Sequence, residues 1–278
     1  MPDEIKNNKR KPRKRRKKRA DGEIHRGIYI LPNFFTTCNI FAGFFGIISA
    51  IGGKYETAAV AVGFSWVFDV IDGKVARITR STSRFGVEYD SLADLVAFGV
   101  SPALLMYMWA LQPYGRWGWG AAFIYIACAA LRLARFNVQI EAVDKRYFMG
   151  LPSPGAAGVM AATVILMSAY EGPHIPNASI ILLIMTGFLG FLMVSNIPYN
   201  SFKELPMLKS KPLPALFVLV VLLSVIAANP RIMVFSMLLA YGLSGPVAYL
   251  FRLGKRPRNM RDDQVPEPVD KELPSVSE

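Results

Sequence analysis

Apolar residues run in long blocks along this chain, separated by short polar stretches. Eight blocks stand out, at roughly 29–51, 56–75, 88–111, 117–137, 153–170, 178–196, 213–229 and 232–251. Each approaches the ~20 apolar residues that a helix needs to cross a bilayer. The pattern predicts an all-α fold, a polytopic transmembrane helical bundle of about eight spans. The first block is longer than a signal-peptide core and has no small-residue cleavage site behind it, so it reads as a span.

The polar stretches alternate in character. With the amino terminus inside, the outside connections fall near 52–55, 112–116, 171–177 and 230–231 and are very short. The cytoplasmic ones, near 76–87, 138–152 and 197–212, are longer, and function is expected to concentrate there.

Composition agrees: 53% of the 278 residues are hydrophobic and the mean hydropathy is +0.31. Charge adds orientation. A net charge of +12 first suggests nucleic acid, but its placement excludes that partner. Of the 32 lysines and arginines, only Lys54, Arg116 and Arg231 fall on the outside connections. This positive-inside bias predicts that both termini are cytoplasmic. Residues 1–28 form a basic tail whose run from Lys9 to Arg19 is too self-repulsive to fold alone. It is expected to set topology and to lie near anionic head groups, and no aromatic residue interleaves it for stacking on RNA. Residues 254–278 form a second tail, basic and then acidic, also expected to be disordered. Cys38 and Cys128 lie inside spans and read as small buried hydrophobes. His25 and His174 fall in the tail and in an outside connection, so no Ser-His-Asp arrangement is available, and no Walker-type loop is present.

Four acids do not fit the apolar pattern. Asp69, Asp72, Asp90 and Asp94 are flanked by apolar helix, where ionisable residues are costly and usually functional. Asp69 and Asp72 are spaced i, i+3 near the end of the second span. Asp90 and Asp94 are spaced i, i+4 near the start of the third. Each pair therefore shares a helical face. Gly73 and Ala76 join the first face, Gly86 joins the second, and Glu88 points away. Four facing carboxylates repel one another unless a cation lies between them, and Arg77 alone cannot neutralise them. Two divalent cations, Mg²⁺ or Mn²⁺, would do so, and a pair ~4 Å apart suits displacement at phosphorus. Buried Asp–Arg pairs, a cation-permeation site and a polybasic membrane scaffold are the other readings.

Together these residues spell Asp69-x2-Asp72-Gly73-x2-Ala76-Arg77-x8-Gly86-x3-Asp90-x3-Asp94. The string resembles, position for position, the signature of the CDP-alcohol phosphotransferase family, whose members move a phosphatidyl or similar group from a CDP-linked donor to an alcohol and release CMP. The resemblance implies that Asp69, Asp72 and Asp90 hold one metal, that Asp72, Asp90 and Asp94 hold a second, and that Asp94 is the general base. It also implies donor contacts from Gly73, Ala76, Arg77, Ser83 and Gly86. From the first span, Asn33, Thr36 and Asn39 would line the nucleotide pocket.

Three further cytoplasmic segments look like the serine-accepting members of the family: Arg132–Asn137, Phe148–Ala157 and Met193–Lys203. They imply CDP-diacylglycerol as donor and L-serine as acceptor, with Arg132, Arg135 and Asn137 as candidate acceptor contacts. Glycerol 3-phosphate, an inositol compound and choline are the rival acceptors. Together the apolar pattern, the charge bias and the resemblance predict a catalytic membrane domain over 29–205, two additional spans over 206–253, membrane lipids as partners, and a cell (inner) membrane location with the active site facing the cytoplasm, and the resemblance implies a homodimer.

Overall fold

The structure is a computed structural model, and it describes residues 30–79, 83–139, 148–171, 180–199 and 227–254, with Val220 and Ser224. Its elements are α1 (Ile30–Ile51), α2 (Tyr55–Thr79), α3 (Arg84–Tyr114), α4 (Arg116–Gln139), β1 (Phe148–Met149), α5 (Ser153–Glu171), α6 (Ile180–Val194), β2 (Pro198–Tyr199) and α7 (Pro230–Gly254). Seven of the eight predicted blocks are thus helices. The seventh block, both tails and the 200–212 connection lie outside the described residues, apart from isolated positions.

Helices α1, α3, α4, α5 and α7 are long and apolar enough to cross a membrane, and α6 is a shorter apolar helix. Helix α2 has the length, 25 residues, but Asp69, Asp72, Lys74 and Arg77 dilute its apolar character. The protein is therefore a helical membrane bundle. Large side chains such as Phe41, Phe64, Leu131 and Phe191 point outward, where lipid replaces water as solvent. The interior is built from small ones, among them Ala58, Ala59, Ala97, Ala103, Ala129, Ala156 and Ala157. This is the packing expected when lipid removes the hydrophobic drive between helices and only close approach remains. At Gly43 a Cβ would stand 2.7 Å from Ala97 Cα, and at Gly46 2.7 Å from Ser101 Oγ, so α1 lies directly against α3.

Helix α3 is not uniform. Immediately after Asp94 it widens into a π-helical turn, Leu95–Val100, closed by the Ser101 N–H on Val96 O. Pro102 follows and has no N–H for the carbonyl of Phe98, four residues back. That carbonyl accepts instead from the buried Tyr125 hydroxyl of α4, at 3.0 Å. The same device recurs in α7. Pro246 leaves Gly242 O without its helical donor, and the buried Tyr199 hydroxyl supplies one at 2.9 Å. In an apolar interior a bare carbonyl would cost several kcal/mol in principle, so each tyrosine makes its proline tolerable.

Among the described residues the only strands are β1 and β2, a two-residue antiparallel pair with Phe148 opposite Tyr199. The pair ties the connection before α5 to the end of α6. Gly150 takes φ +83° beside the carbonyl of Met193, where a Cβ would collide. Its N–H donates to Ile197 O at 2.9 Å, and Leu151 N–H donates to Leu192 O at 3.0 Å. The segment Pro152-Ser153-Pro154 is thereby seated against α4 and α6.

Candidate active site

Helices α2 and α3 bring the two predicted acidic faces together. One carboxylate oxygen each from Asp69, Asp72 and Asp90 lies within 4.8 Å of the others. Asp72 is buried, at 4% exposure, and Asp69 and Asp90 are half-buried. Asp72 Oδ2 and Asp90 Oδ1 are buried with no hydrogen-bond partner. A buried acceptor without a donor is rare in a folded protein, and carboxylates paired with arginine would not leave one. Three converging carboxylates, two of them carrying a buried unsatisfied oxygen, fit a hard divalent cation.

Asp94 lies outside this group of three, one helical turn deeper in α3, or about 6 Å along the axis. Its Oδ1 accepts from Asn39 Nδ2 at 3.3 Å. Asn39 is fully buried, its Oδ1 has no partner, and its carbonyl accepts from Ser65 Oγ of α2 at 3.3 Å. The predicted donor contact Asn39 therefore sits beside the predicted base.

The remaining predicted donor contacts line one cleft of about 190 Å³, which also includes Asp72 and Asp90. Asn33 and Thr36 come from α1, Gly73, Ala76 and Arg77 from α2, and Ser83 and Gly86 from the start of α3. Local forces place each of them. Thr36 Oγ1 donates to Pro32 O at 3.1 Å, which turns the buried side chain along its own helix. Gly73 faces open space, so its missing side chain leaves the cleft floor free. Arg77 Nε donates back to Gly73 O at 2.8 Å and keeps the exposed guanidinium over that floor. Ser83 caps α3 by accepting from Gly86 N at 2.9 Å. A Cβ at Gly86 would press on Ser83 Oγ at 3.2 Å. Ser83 thus has a helix-capping task besides any ligand contact.

The three acceptor candidates separate. Arg132 is the one whose charge acts on the aspartates, on both Asp69 and Asp94. Its Nη1 donates to Ser153 Oγ at 2.9 Å, and its Nε is buried without a partner. Arg135, one turn on, reaches Val194 O at the end of α6, at 3.4 Å. Asn137 is committed to α3, donating to Ser91 Oγ at 3.0 Å and to Glu88 Oε2 at 3.3 Å. Glu88 is exposed and turned away from the carboxylates, as its helical phase predicts. Ser153 was not among the predicted contacts. Its signal was available, since a serine between two prolines at the start of an apolar helix is an unusual choice for a span.

An apolar helical bundle that gathers carboxylates and a polar cleft at one end defines an integral membrane protein with an acidic, cation-ready site. More specifically, the chain belongs to the CDP-alcohol phosphatidyltransferase family, whose sequence model matches residues 29–192. It is 37% identical over 232 residues to the CDP-diacylglycerol–serine O-phosphatidyltransferase of Helicobacter pylori, with 82% of this chain and 94% of that protein covered. The protein of the same name from Mycobacterium tuberculosis is 30% identical over 228 residues, covering 80% and 78%. That from Bacillus subtilis is 34% identical over 174 residues, covering 63% and 92%.

Proposed function

We propose that this protein transfers the phosphatidyl group of CDP-diacylglycerol to the hydroxyl of L-serine, giving phosphatidylserine and CMP in phospholipid biosynthesis. The observation that carries the reading is the set of buried, unpartnered carboxylate oxygens of Asp72 and Asp90 at a cleft lined by Arg77, Ser83 and Asn33. The names of the similar proteins supply the donor and acceptor.

In this reading Asp69, Asp72 and Asp90 hold one divalent cation, and Asp72, Asp90 and Asp94 hold a second, Mg²⁺ or Mn²⁺. Bound there, the ions would offset the donor's pyrophosphate charge and stabilise the charge that develops at the transferred phosphorus. The chain's own residues do the rest. Asn33, Thr36, Gly73, Ala76, Arg77, Ser83 and Gly86 hold the CMP portion, with the Arg77 guanidinium as a fork for phosphate oxygen. Asp94, oriented by the Asn39 amide, takes the proton from the serine hydroxyl. The serine oxygen then bonds to the phosphorus that bears diacylglycerol. The bond from that phosphorus to the CMP oxygen breaks, and CMP leaves with the electron pair.

The acyl chains of the donor remain in the bilayer, and the site faces the cytoplasm of a cell (inner) membrane, where serine and CMP are soluble. A homodimer is the proposed assembly. The test is an assay of purified protein with CDP-diacylglycerol and Mn²⁺ or Mg²⁺, offering serine, glycerol 3-phosphate, inositol, inositol phosphate or choline separately. Serine-dependent CMP release is expected. Release that depends on another acceptor and ignores serine would reject the reading.

A further inference from the structure

The guanidinium of Arg132 is held at one end and unpartnered at another. Its Nη1 donates to Ser153 Oγ at 2.9 Å, while its Nε is buried with no partner. An unspent guanidinium N–H in an apolar interior is costly, and a planar fork of such donors matches a carboxylate. The positive charge also acts on Asp94, the group assigned to take the acceptor's proton.

Ser153 is suited to fix that fork. It is completely buried. Its flanking backbone is tied to α6 through Gly150 N–H on Ile197 O and Leu151 N–H on Leu192 O. It opens α5, yet the first turn of that helix is closed by Ala156 N–H on Pro152 O, at 3.0 Å. The hydroxyl is therefore not needed as a cap for that bond and is spent on Arg132. The result is an arginine on α4 whose rotamer is set by α5, at a junction braced by α6.

We infer that Ser153 is a positioning residue for acceptor specificity: it locks Arg132 so that the guanidinium edge carrying Nε receives the carboxylate of the acceptor alcohol beside Asp94. This inference rests on the proposed transfer to serine and adds to it the residue that sets which small alcohols are admitted. A carboxylate-bearing acceptor satisfies the unpartnered N–H, whereas an acceptor without one leaves it bare. If Arg132 served only to offset the charge of Asp69 and Asp94, removal of a neutral hydroxyl would not touch the serine requirement.

The experiment compares purified full-length wild type, Ser153→Ala, Ser153→Thr and Arg132→Lys. CMP release is followed at varied L-serine and, separately, at varied CDP-diacylglycerol, with Mn²⁺ held constant. Loss of a hydrogen bond to a charged group predicts a serine KM about tenfold higher for Ser153→Ala. Its kcat and its CDP-diacylglycerol KM should stay within about twofold of wild type. Ser153→Thr restores the hydroxyl and should recover the serine KM. Arg132→Lys keeps the charge but loses the fork, and should raise the serine KM without changing the metal requirement. An unchanged serine KM in Ser153→Ala, or an equal rise in both KM values, overturns the inference while leaving serine transfer intact. Absence of serine-dependent turnover in wild type overturns the proposed function and this inference together.

Discussion

The two halves of the site are built differently. The proposed donor half, on α1, α2 and the start of α3, comes mostly from one contiguous stretch, residues 69–94, whose two helical segments bring their carboxylates together. The proposed acceptor half is assembled from α4 and α5, with Arg132 and Ser153 meeting across 21 residues of chain. In the donor half a helical repeat is enough to align the carboxylates. In the acceptor half nothing local decides which arginine faces inward, and a neighbouring helix has to choose. The difference teaches that substitutions in the donor half should abolish the chemistry, whereas those in the acceptor half should retune its substrate.

The sharpest break of this contrast is loss of the cation. Chelation, or Asp90→Asn, removes several kcal/mol of charge stabilisation and is expected to cut kcat by at least ~10³-fold while leaving the thermal transition near wild type. Turnover persisting in strong chelator would sink the metal assignment. Asp94→Asn comes next. Loss of a general base predicts a ~10²–10⁴-fold fall in kcat with CDP-diacylglycerol binding retained, measurable by pairing CMP release with a donor-binding assay. Near-normal CMP release from that variant would move the base elsewhere.

Asn39→Ala tests whether orientation of Asp94 matters. By analogy with other groups that orient ligands at metal sites, it should cost ~10–100-fold in kcat. An effect confined to KM would place Asn39 on the nucleotide alone. In the acceptor half Arg135→Ala should raise the serine KM less than Arg132→Lys does, since its contact to Val194 O is long and belongs to the α4–α6 packing. The reverse order would relocate the acceptor. Smallest for catalysis is Tyr125→Phe, which bares Phe98 O beside Pro102. Leaving that buried carbonyl unpaired should destabilise the bundle by ~1–3 kcal/mol, read as a lower Tm in detergent with serine KM unchanged.

The helices were legible because burial in lipid demands long apolar runs, and seven of the eight predicted blocks are helices in the described residues. The exceptions to uniform helix were not legible. Pro102 and Pro246 stand in the sequence, but the carbonyls they free are satisfied by Tyr125 and Tyr199, which are distant along the chain. The π turn after Asp94 likewise carries no local signal; Ala97 within it and Ser101 just after it lie against the Gly43–Gly46 face of α1. The β1–β2 pair was hidden for a similar reason, since two residues on each side carry no periodicity of their own.

The sequence by itself determined the membrane fold class, the facing of Asp69 and Asp72 toward Asp90, and most of the residues that line the cleft beside them. Those features follow from spacing within single helices and one turn, where 3.6 residues per turn fixes which side chains share a face. Only the tertiary structure decided that Asp94 pairs with Asn39, that the charge of Arg132 acts on Asp69 and Asp94, and that Ser153 holds Arg132 while Arg135 reaches Val194. Two arginines three residues apart on one helix present nearly the same face. The choice between them is made by hydrogen-bond partners on other helices, and the order of residues along one helix does not encode where those helices will lie.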